Sequence, residues 1–328
     1  MNAAPPNKHS ELMSRRTLLM YAGLSAIGAQ PAAAQGAPIQ IVVPYGAGGL
    51  TDSLGRLFAA NLKDLWNAPV IVDNRPGAGG SIGAAYVAKS KPNGQTLLLG
   101  SVGVATNPHI FKALPYKPDD LTACAEIAGA PNVLYVHPSV PATNVKELVA
   151  YAKKNPGVLS FASAGIGSSP HLAAALFGSS AGIEIVHIAY KGTSAAMTDF
   201  LGGQVNAYFD TMQSMKYAKE GRIRALAIAT TRRLNQAPDL PTVEESGISG
   251  VFSSSWFGFF LPAKTPLDEQ ERIARAVLAV AKKDDVKRQM VAMGVIPELA
   301  GRTAFTTLVD HESAKWGALI RKLNIVGE

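Results

Sequence analysis

The stretch Ile39–Asp52, IQIVVPYGAGGLTD, limits what this chain can fold into more than any other. Ile41, Val42 and Val43 are β-branched and suit a strand, and Pro44 ends it because proline has no N–H to give a ladder. Gly46, Gly48 and Gly49 then bring backbone amides where a Cβ would be in the way. Thr51 reads as the N-cap of a helix whose apolar positions Leu54, Leu57, Phe58, Leu62 and Leu65 recur at helical spacing. The first amides of such a helix lack intrahelical partners and carry the positive end of its dipole, so a carboxylate or phosphate is favoured there. The competing reading is a tight strand-to-helix connection that binds nothing.

The same plan repeats. Pro69–Asp73 reads as a second strand, residues 75–80 (RPGAGG) lead into a helix over Ile82–Lys89, and Gln95–Gly100 is a third strand. Strands that are apolar almost throughout, alternating with helices, predict a parallel sheet covered on both faces. The extended segment Ala125–His137 reads as a crossing into a second lobe. That lobe has a helix over Val145–Lys154, a strand over Leu159–Ala162 and the loop Ser163–His171 opening a helix through Phe177. The strand Ile183–Ile188 follows and runs into the loop Tyr190–Thr193, which opens another helix. Val205–Asp210 and Ile223–Thr230 complete the strands, and Ser253–Leu261 is the return crossing, followed by helices from Thr265. The expected division is 35–130 plus 256–328 for the first lobe and 131–255 for the second. Loops at the carboxyl ends of strands, each before a helix, are where α/β sheets bind ligands.

Residues 1–34 read as an export signal: Arg15-Arg16, an apolar run from Leu18 to Ala29, then Ala32-Ala33-Ala34 before Gln35. Residues 14–19 (SRRTLL) are similar to a twin-arginine signal, with Leu18 and Met20 departing from its usual pattern; twin-arginine and general export both stay open. The periplasm is the expected location. Beyond this segment no apolar run reaches the ~18 residues that cross a bilayer. A hydrophobic content of 47% with 17% charged residues argues for a packed globular chain. The net charge of +7 is scattered rather than clustered, which argues against nucleic acid as a partner and suits small anions. Cys124 is the only cysteine, so no internal disulfide or cysteine-based metal cluster is available. No metal and no cofactor is expected.

Two motifs compete with a binding role. Gly79-Gly80-Ser81-Ile82-Gly83 fits the G-x-S-x-G of α/β-hydrolases, with His171, His187 and His311 later in the chain. An exported hydrolase using Ser81 is therefore the alternative function. It is disfavoured because seven residues, Arg75-Pro76 among them, separate Ser81 from Asp73, whereas that motif needs its serine directly after a strand. Gly46-Ala47-Gly48-Gly49 falls short of a dinucleotide fingerprint because Thr51 stands where the third glycine belongs. His171, after Pro170 at a helix start, reads either as a ligand contact or as a residue that caps and packs its loop.

Six motifs carry a family likeness in order: residues 44–52 (PYGAGGLTD), 74–80 (NRPGAGG), 165–172 (GIGSSPHL), 190–192 (YKG), 201–205 (LGGQV) and 241–247 (PTVEESG). From about Pro38 to Ile325 the chain resembles the Bug (Bordetella uptake gene type, or TctC-like) family of periplasmic solute receptors of tripartite tricarboxylate transporters. The resemblance implies a hinged, two-lobed type II periplasmic-binding-protein fold, α/β in class, that closes on a small carboxylate in the interlobe cleft. It also implies delivery to inner-membrane transporter subunits. The loops supply donors and a helix terminus but no nucleophile with base and orienter, so a non-catalytic receptor is expected, as a monomer. Carried over by position, the ligand-facing residues are Tyr45, Gly46, Gly48, Gly49, Thr51, Asp52, Ser163, Gly167, Ser168, Ser169, His171, Tyr190, Lys191, Gly192, Thr193 and Asp210. One departure is Ala175, where the family usually has glutamate.

The side chains narrow the ligand only slightly. Asp52 and Asp210 are the candidate cleft acids, and Tyr45, Tyr190, Tyr208, Trp256 and Phe257 are candidate aromatic walls. A desolvated ammonium group needs a partner. Asp210 is either that partner or the cap of the following helix, so the expectation leans to a dicarboxylate or aromatic acid over an amino acid.

Overall fold

The computed structural model describes residues 38–327, together with Met1 and Ala3. The expected export signal and its cleavage near Ala34 lie outside that stretch. Two sheets organise the described chain. In the first, β1 (Ile39–Val43) pairs in parallel with β2 (Val70–Asn74) and β3 (Thr96–Gly100). Beyond β3 come β10 (Ser254–Pro262), β4 (Leu121–Pro131) and the short edge strand β11 (Ala300–Gly301), all antiparallel to their neighbours. In the second, β6 (Ser160–Ser163) runs parallel to β7 (Val186–Ala189) and β8 (Ala207–Asp210). There β5 (Val133–Val136) lies antiparallel to β8 and β9 (Arg224–Ile228).

Both sheets are therefore mixed rather than wholly parallel. The segments read as crossings are ladder members: Ala125–His137 divides into β4 and β5, and Ser253–Leu261 becomes β10, which pairs with β3 and β4 at once. These strands are buried on both faces along most of their length, so apolar residues occupy both faces, as in a parallel strand, and the alternation that marks an antiparallel one is missing.

Packing follows the pleat. Ile41 and Val43 face α1 (Leu50–Trp66) and α8 (Leu267–Lys282), in a core with Leu54, Phe58, Ile273 and Val277. Val42 and Leu98 face the other way, towards α2 (Ser81–Ala88), α3 (Gly103–Ile110) and α10 (Arg302–Leu323), packing with Val87, Ile110, Trp316 and Ile320. In the second sheet Phe161 and Phe209 pack on Phe177 of α5 (Ser169–Ala181) and Leu148 of α4 (Val145–Lys154). Its opposite face holds Tyr135 and Tyr208 against Phe200 of α6 (Thr193–Leu201).

The two crossings lie side by side. Asn132, between β4 and β5, donates its amide to Ser253 O at 3.1 Å and accepts from Ala229 N at 2.8 Å, while Ser253 N donates to Ala229 O at 3.0 Å. Two strands tied at one level form the hinge of a two-lobed α/β clamp. Cys124 is buried, and burial pushes its thiol up to about 12, in keeping with a small apolar core residue.

Candidate ligand-binding site

Three helices begin at one place. α1 opens after Gly49, whose extended backbone makes it the N-cap, so Thr51 lies within the first turn rather than capping it. α5 opens after Ser168, with Pro170 in its first turn, and α6 opens after Gly192. Gly49, Leu50, Thr51 and Asp52 from the first lobe meet Ser168, Ser169, Pro170 and Thr193 from the second around a cavity of about 50 Å³. Tyr45, Gly46, Ser101, Ala164, Asp210, Thr211, Ser255 and Phe257 complete its wall.

The lobes are closed on each other. Thr106 Oγ1 donates to Gly167 O at 2.8 Å, and Ser194 Oγ reaches Ala47 O at 3.4 Å. A Cβ on Gly49 would stand 2.7 Å from Thr193 Oγ1, and one on Gly46 would stand 3.2 Å from Lys191 O. The glycines of the first loop are thus required by the approach of the second lobe.

The first loop is held by a carboxylate. Asp52 Oδ2 accepts from Gly48 N at 2.9 Å and from Arg56 Nε at 3.0 Å, and Oδ1 accepts from Asn74 Nδ2 at 3.0 Å. Burial pushes the Asp52 carboxyl up, but the bonds from Arg56, Gly48 and Asn74 outweigh it and hold it below the usual aspartate value. Gly48 takes φ +80° to bring its amide to that carboxylate.

The second loop is held by neutral imidazoles. His171 Nδ1 accepts from Gly167 N at 3.0 Å, and its ring stacks on His187 with centroids 3.7 Å apart. His187 Nε2 pairs with Ser163 Oγ at 2.7 Å, and Ser163 Oγ accepts from Gly165 N at 3.1 Å. Burial pulls His171 down to about 3, with His187 adding to the effect, and burial pulls His187 down to about 4. Both rings are neutral at physiological pH.

The cavity wall is rich in donors. The first amides of α1 and α6 and those of Ser169 and His171 in α5 belong to helix N-termini, where no intrahelical acceptor exists. Among the described residues, the hydroxyls of Thr51, Ser101, Ser169, Thr193 and Ser255 donate to no protein acceptor. Asp210 is the one wall carboxylate not tied to a cation. Burial pushes it up to about 6, against the lowering effect of bonds from Ser214 Oγ, at 2.5 Å, and Thr211 N. Among the described residues no group of three His, Cys, Asp or Glu side chains is placed to hold a metal.

Of the residues read from sequence, Tyr45, Gly46, Gly49, Thr51, Asp52, Ser168, Ser169, Thr193 and Asp210 line this cavity. Gly48 lines an adjoining groove with Ser194 and Lys216. Tyr190 and Lys191 border another space, of about 210 Å³, beside the loop Gly77–Gly80, and Tyr190 donates its hydroxyl to Asp199 at 2.8 Å. Ser163, Gly167, His171 and Gly192 stand behind the wall, where they shape the second lobe's loops. His171 takes the packing role rather than the contact role. Of the aromatic candidates, Tyr45 and Phe257 face the cavity, while Tyr208 and Trp256 lie in the cores.

Sequence reasoning missed Ser101, Thr211 and Ser255. Ser101 follows β3 as the glycine loop follows β1, so the rule of strand carboxyl ends would have found it. Ser255 and Phe257 share one face of β10 with Trp256 on the other, a choice of face that an all-apolar strand does not disclose.

Ser81 is the first residue of α2, buried, with no hydrogen-bond partner for its hydroxyl. A 3-10 turn, Ala78–Gly80, separates it from β2, so the sharp strand-to-helix turn of a hydrolase is not built here.

The relatives agree with this architecture. Bordetella pertussis protein BugT is 33% identical over 87% of this chain and 89% of its own. The structure of R. palustris Rpa4515 with adipate superposes with a TM-score of 0.84 at 32% identity, covering 88% of this chain and 98% of that one. MatC from Rhodopseudomonas palustris with bound malate superposes at 0.80 with 27% identity, covering 86% and 98%. The pattern described as the tripartite tricarboxylate transporter family receptor (TctC) matches residues 54–325. With a cleft built from three helix N-termini, and with these matches along most of its length, the chain belongs to the TctC family of tripartite tricarboxylate transporter receptors.

Proposed function

We propose that this chain is a non-catalytic periplasmic receptor that closes on a small organic carboxylate and presents it to the inner-membrane subunits of a tripartite transporter. The observation that carries the reading is the convergence of three helix N-termini and five uncommitted hydroxyls on one closed cavity. Such a wall offers donors and positive dipole ends, which match an acceptor-only anion. Adipate and malate, bound by the two structural neighbours, are acids of that chemistry.

On this reading residues 1–34 direct export and are removed near Ala34. Residues 35–130 with 256–328 form one lobe, 131–255 form the other, and the receptor works as a monomer. Asp210 sets the selectivity. A buried carboxylate facing the ligand repels a second anion unless it is protonated and attracts an ammonium group only when ionised. Its raised pKa makes protonation on binding an acid less costly than for an ordinary aspartate, which supports an acid without an ammonium group over an amino acid.

A thermal-shift screen of succinate, malate, adipate, citrate, benzoate, aspartate, glutamate and neutral sugars tests the proposal. A ligand at about 100 times its Kd adds ~2.7 kcal/mol, worth several degrees in a protein of this size. Shifts with the acids lacking an ammonium group are expected. Shifts with sugars alone would reject the substrate class, and shifts with aspartate or glutamate alone would reverse the role given to Asp210.

A further inference from the structure

We propose that Asn132 is a positioning residue that occupies one lone pair of the Ser169 hydroxyl and leaves its hydrogen free for an acceptor group in the cleft. The inference rests on reading the cleft as a carboxylate site. Asn132 is fully buried at the first crossing, and its backbone is fixed by Ser253 O and Ala229 N. Its side-chain nitrogen donates to Ser169 Oγ at 2.5 Å and to Ser253 Oγ at 2.8 Å. An amide nitrogen has two hydrogens and no acceptor capacity, so both are used.

The consequence falls on the serine. A hydroxyl has one hydrogen and two lone pairs, and when its oxygen receives a bond its hydrogen must be given elsewhere. Among the described residues nothing accepts the Ser169 hydrogen, and Ser169 lines the cavity. The Asn132 Oδ1 atom is buried without a partner. The hinge thus biases the polarity of a hydroxyl in the site, whose hydrogen is left for a carboxylate oxygen.

Ser253 provides an internal control, since it shares the same amide but is not part of the cavity wall. The test is a double-mutant cycle read by calorimetry, using whichever of succinate, malate and adipate binds most tightly. Ser169→Ala is expected to weaken binding about tenfold and Asn132→Ala three- to tenfold. Asn132→Ala in the Ser169→Ala background should cost less than twofold further, and Ser253→Ala less than twofold. Equal losses from Asn132→Ala in both backgrounds, or a loss from Ser253→Ala as large as that from Ser169→Ala, would overturn the inference. If Asn132→Ala does not fold, the near-isosteric Asn132→Asp replaces it, with a loss clearly smaller in the Ser169→Ala background as the expected result and an equal loss as the contrary one. Wild-type protein that binds none of the three acids would instead defeat the functional reading itself.

Discussion

The two loops that face each other across the cleft do the same task with opposite chemistry. The Gly46–Asp52 loop is pinned by an ionised carboxylate bonded to Gly48, Arg56 and Asn74, whereas the Ser163–His171 loop is pinned by two stacked, neutral imidazoles. One anchor needs its charge and the other needs to avoid one. Both leave helix amides free to face a ligand, because the anchoring side chains satisfy the loop amides behind them.

The largest expected effect strikes the first anchor. Asp52→Ala leaves the Gly48 amide and one of the two Asn74 amide hydrogens without an acceptor, the other still bonding Tyr45 O, and at about 1–3 kcal/mol for each unsatisfied donor the loss is about 4 kcal/mol. Denaturant unfolding measures it; a loss under about 1 kcal/mol would show that the carboxylate does not hold the loop.

Acid separates the two anchors next. His171 and His187 titrate near 6.5 in an unfolded chain but near 3 and 4 in the fold, so unfolding takes up protons between those values. Their contribution is complete above pH 6.5 and is lost as pH falls towards 4, by roughly 3 kcal/mol for one buried ring. Asp52, held below its ordinary 3.8, keeps its contribution until the pH falls below that value. Hydrogen exchange at pH 7 and pH 4.5 should show amides 165–168 losing protection while Gly48 keeps it. Equal loss in both loops would remove the distinction.

Asp210 has the opposite sign. Its folded pKa of about 6 lies above the ordinary 3.8, so the stability it lends is full below 3.8 and is lost as pH rises through 6. Asp210→Asn is therefore expected to stabilise the protein at pH 7.5 by about 2 kcal/mol and to tighten binding of acids lacking an ammonium group. Both gains should shrink at pH 5, and weaker binding of such acids in this variant would contradict the role assigned to Asp210.

The smallest effect concerns Ser81. Its hydroxyl is buried and unpartnered, so Ser81→Ala should change stability by less than about 1 kcal/mol and leave ligand affinity unchanged. An ester turned over by the wild type and spared by the variant would restore the hydrolase reading.

How much of this was legible in the sequence depended on the kind of signal. Pro44, the three glycines and the helical spacing of Leu54, Phe58 and Leu62 placed β1, its loop and α1, because local chemistry fixes each of them. The N-cap moved from Thr51 to Gly49, whose extended backbone lets the helix begin at Leu50. Strand direction was not legible: β4 and β10 are buried on both faces, and an apolar run such as Trp256–Leu261 is the same whether it pairs in parallel or antiparallel. In the site, residues at strand ends were found, whereas Ser255 depended on pairing partners more than a hundred residues away. His171 was placed in the right loop with two roles open, and the stack with His187 that gives it a packing role is a tertiary fact that the sequence does not show.

Isothermal titration of residues 35–328 with succinate, malate and adipate, using wild type and Gly49→Val, tests the central claim most directly. Valine at 49 would set a Cβ 2.7 Å from Thr193 Oγ1 and keep the two loops from meeting. The account predicts saturable one-to-one binding of at least one acid by the wild type, weakened at least tenfold in a folded Gly49→Val. An unchanged Kd in that variant, or a wild type that takes up none of the acids, would contradict it.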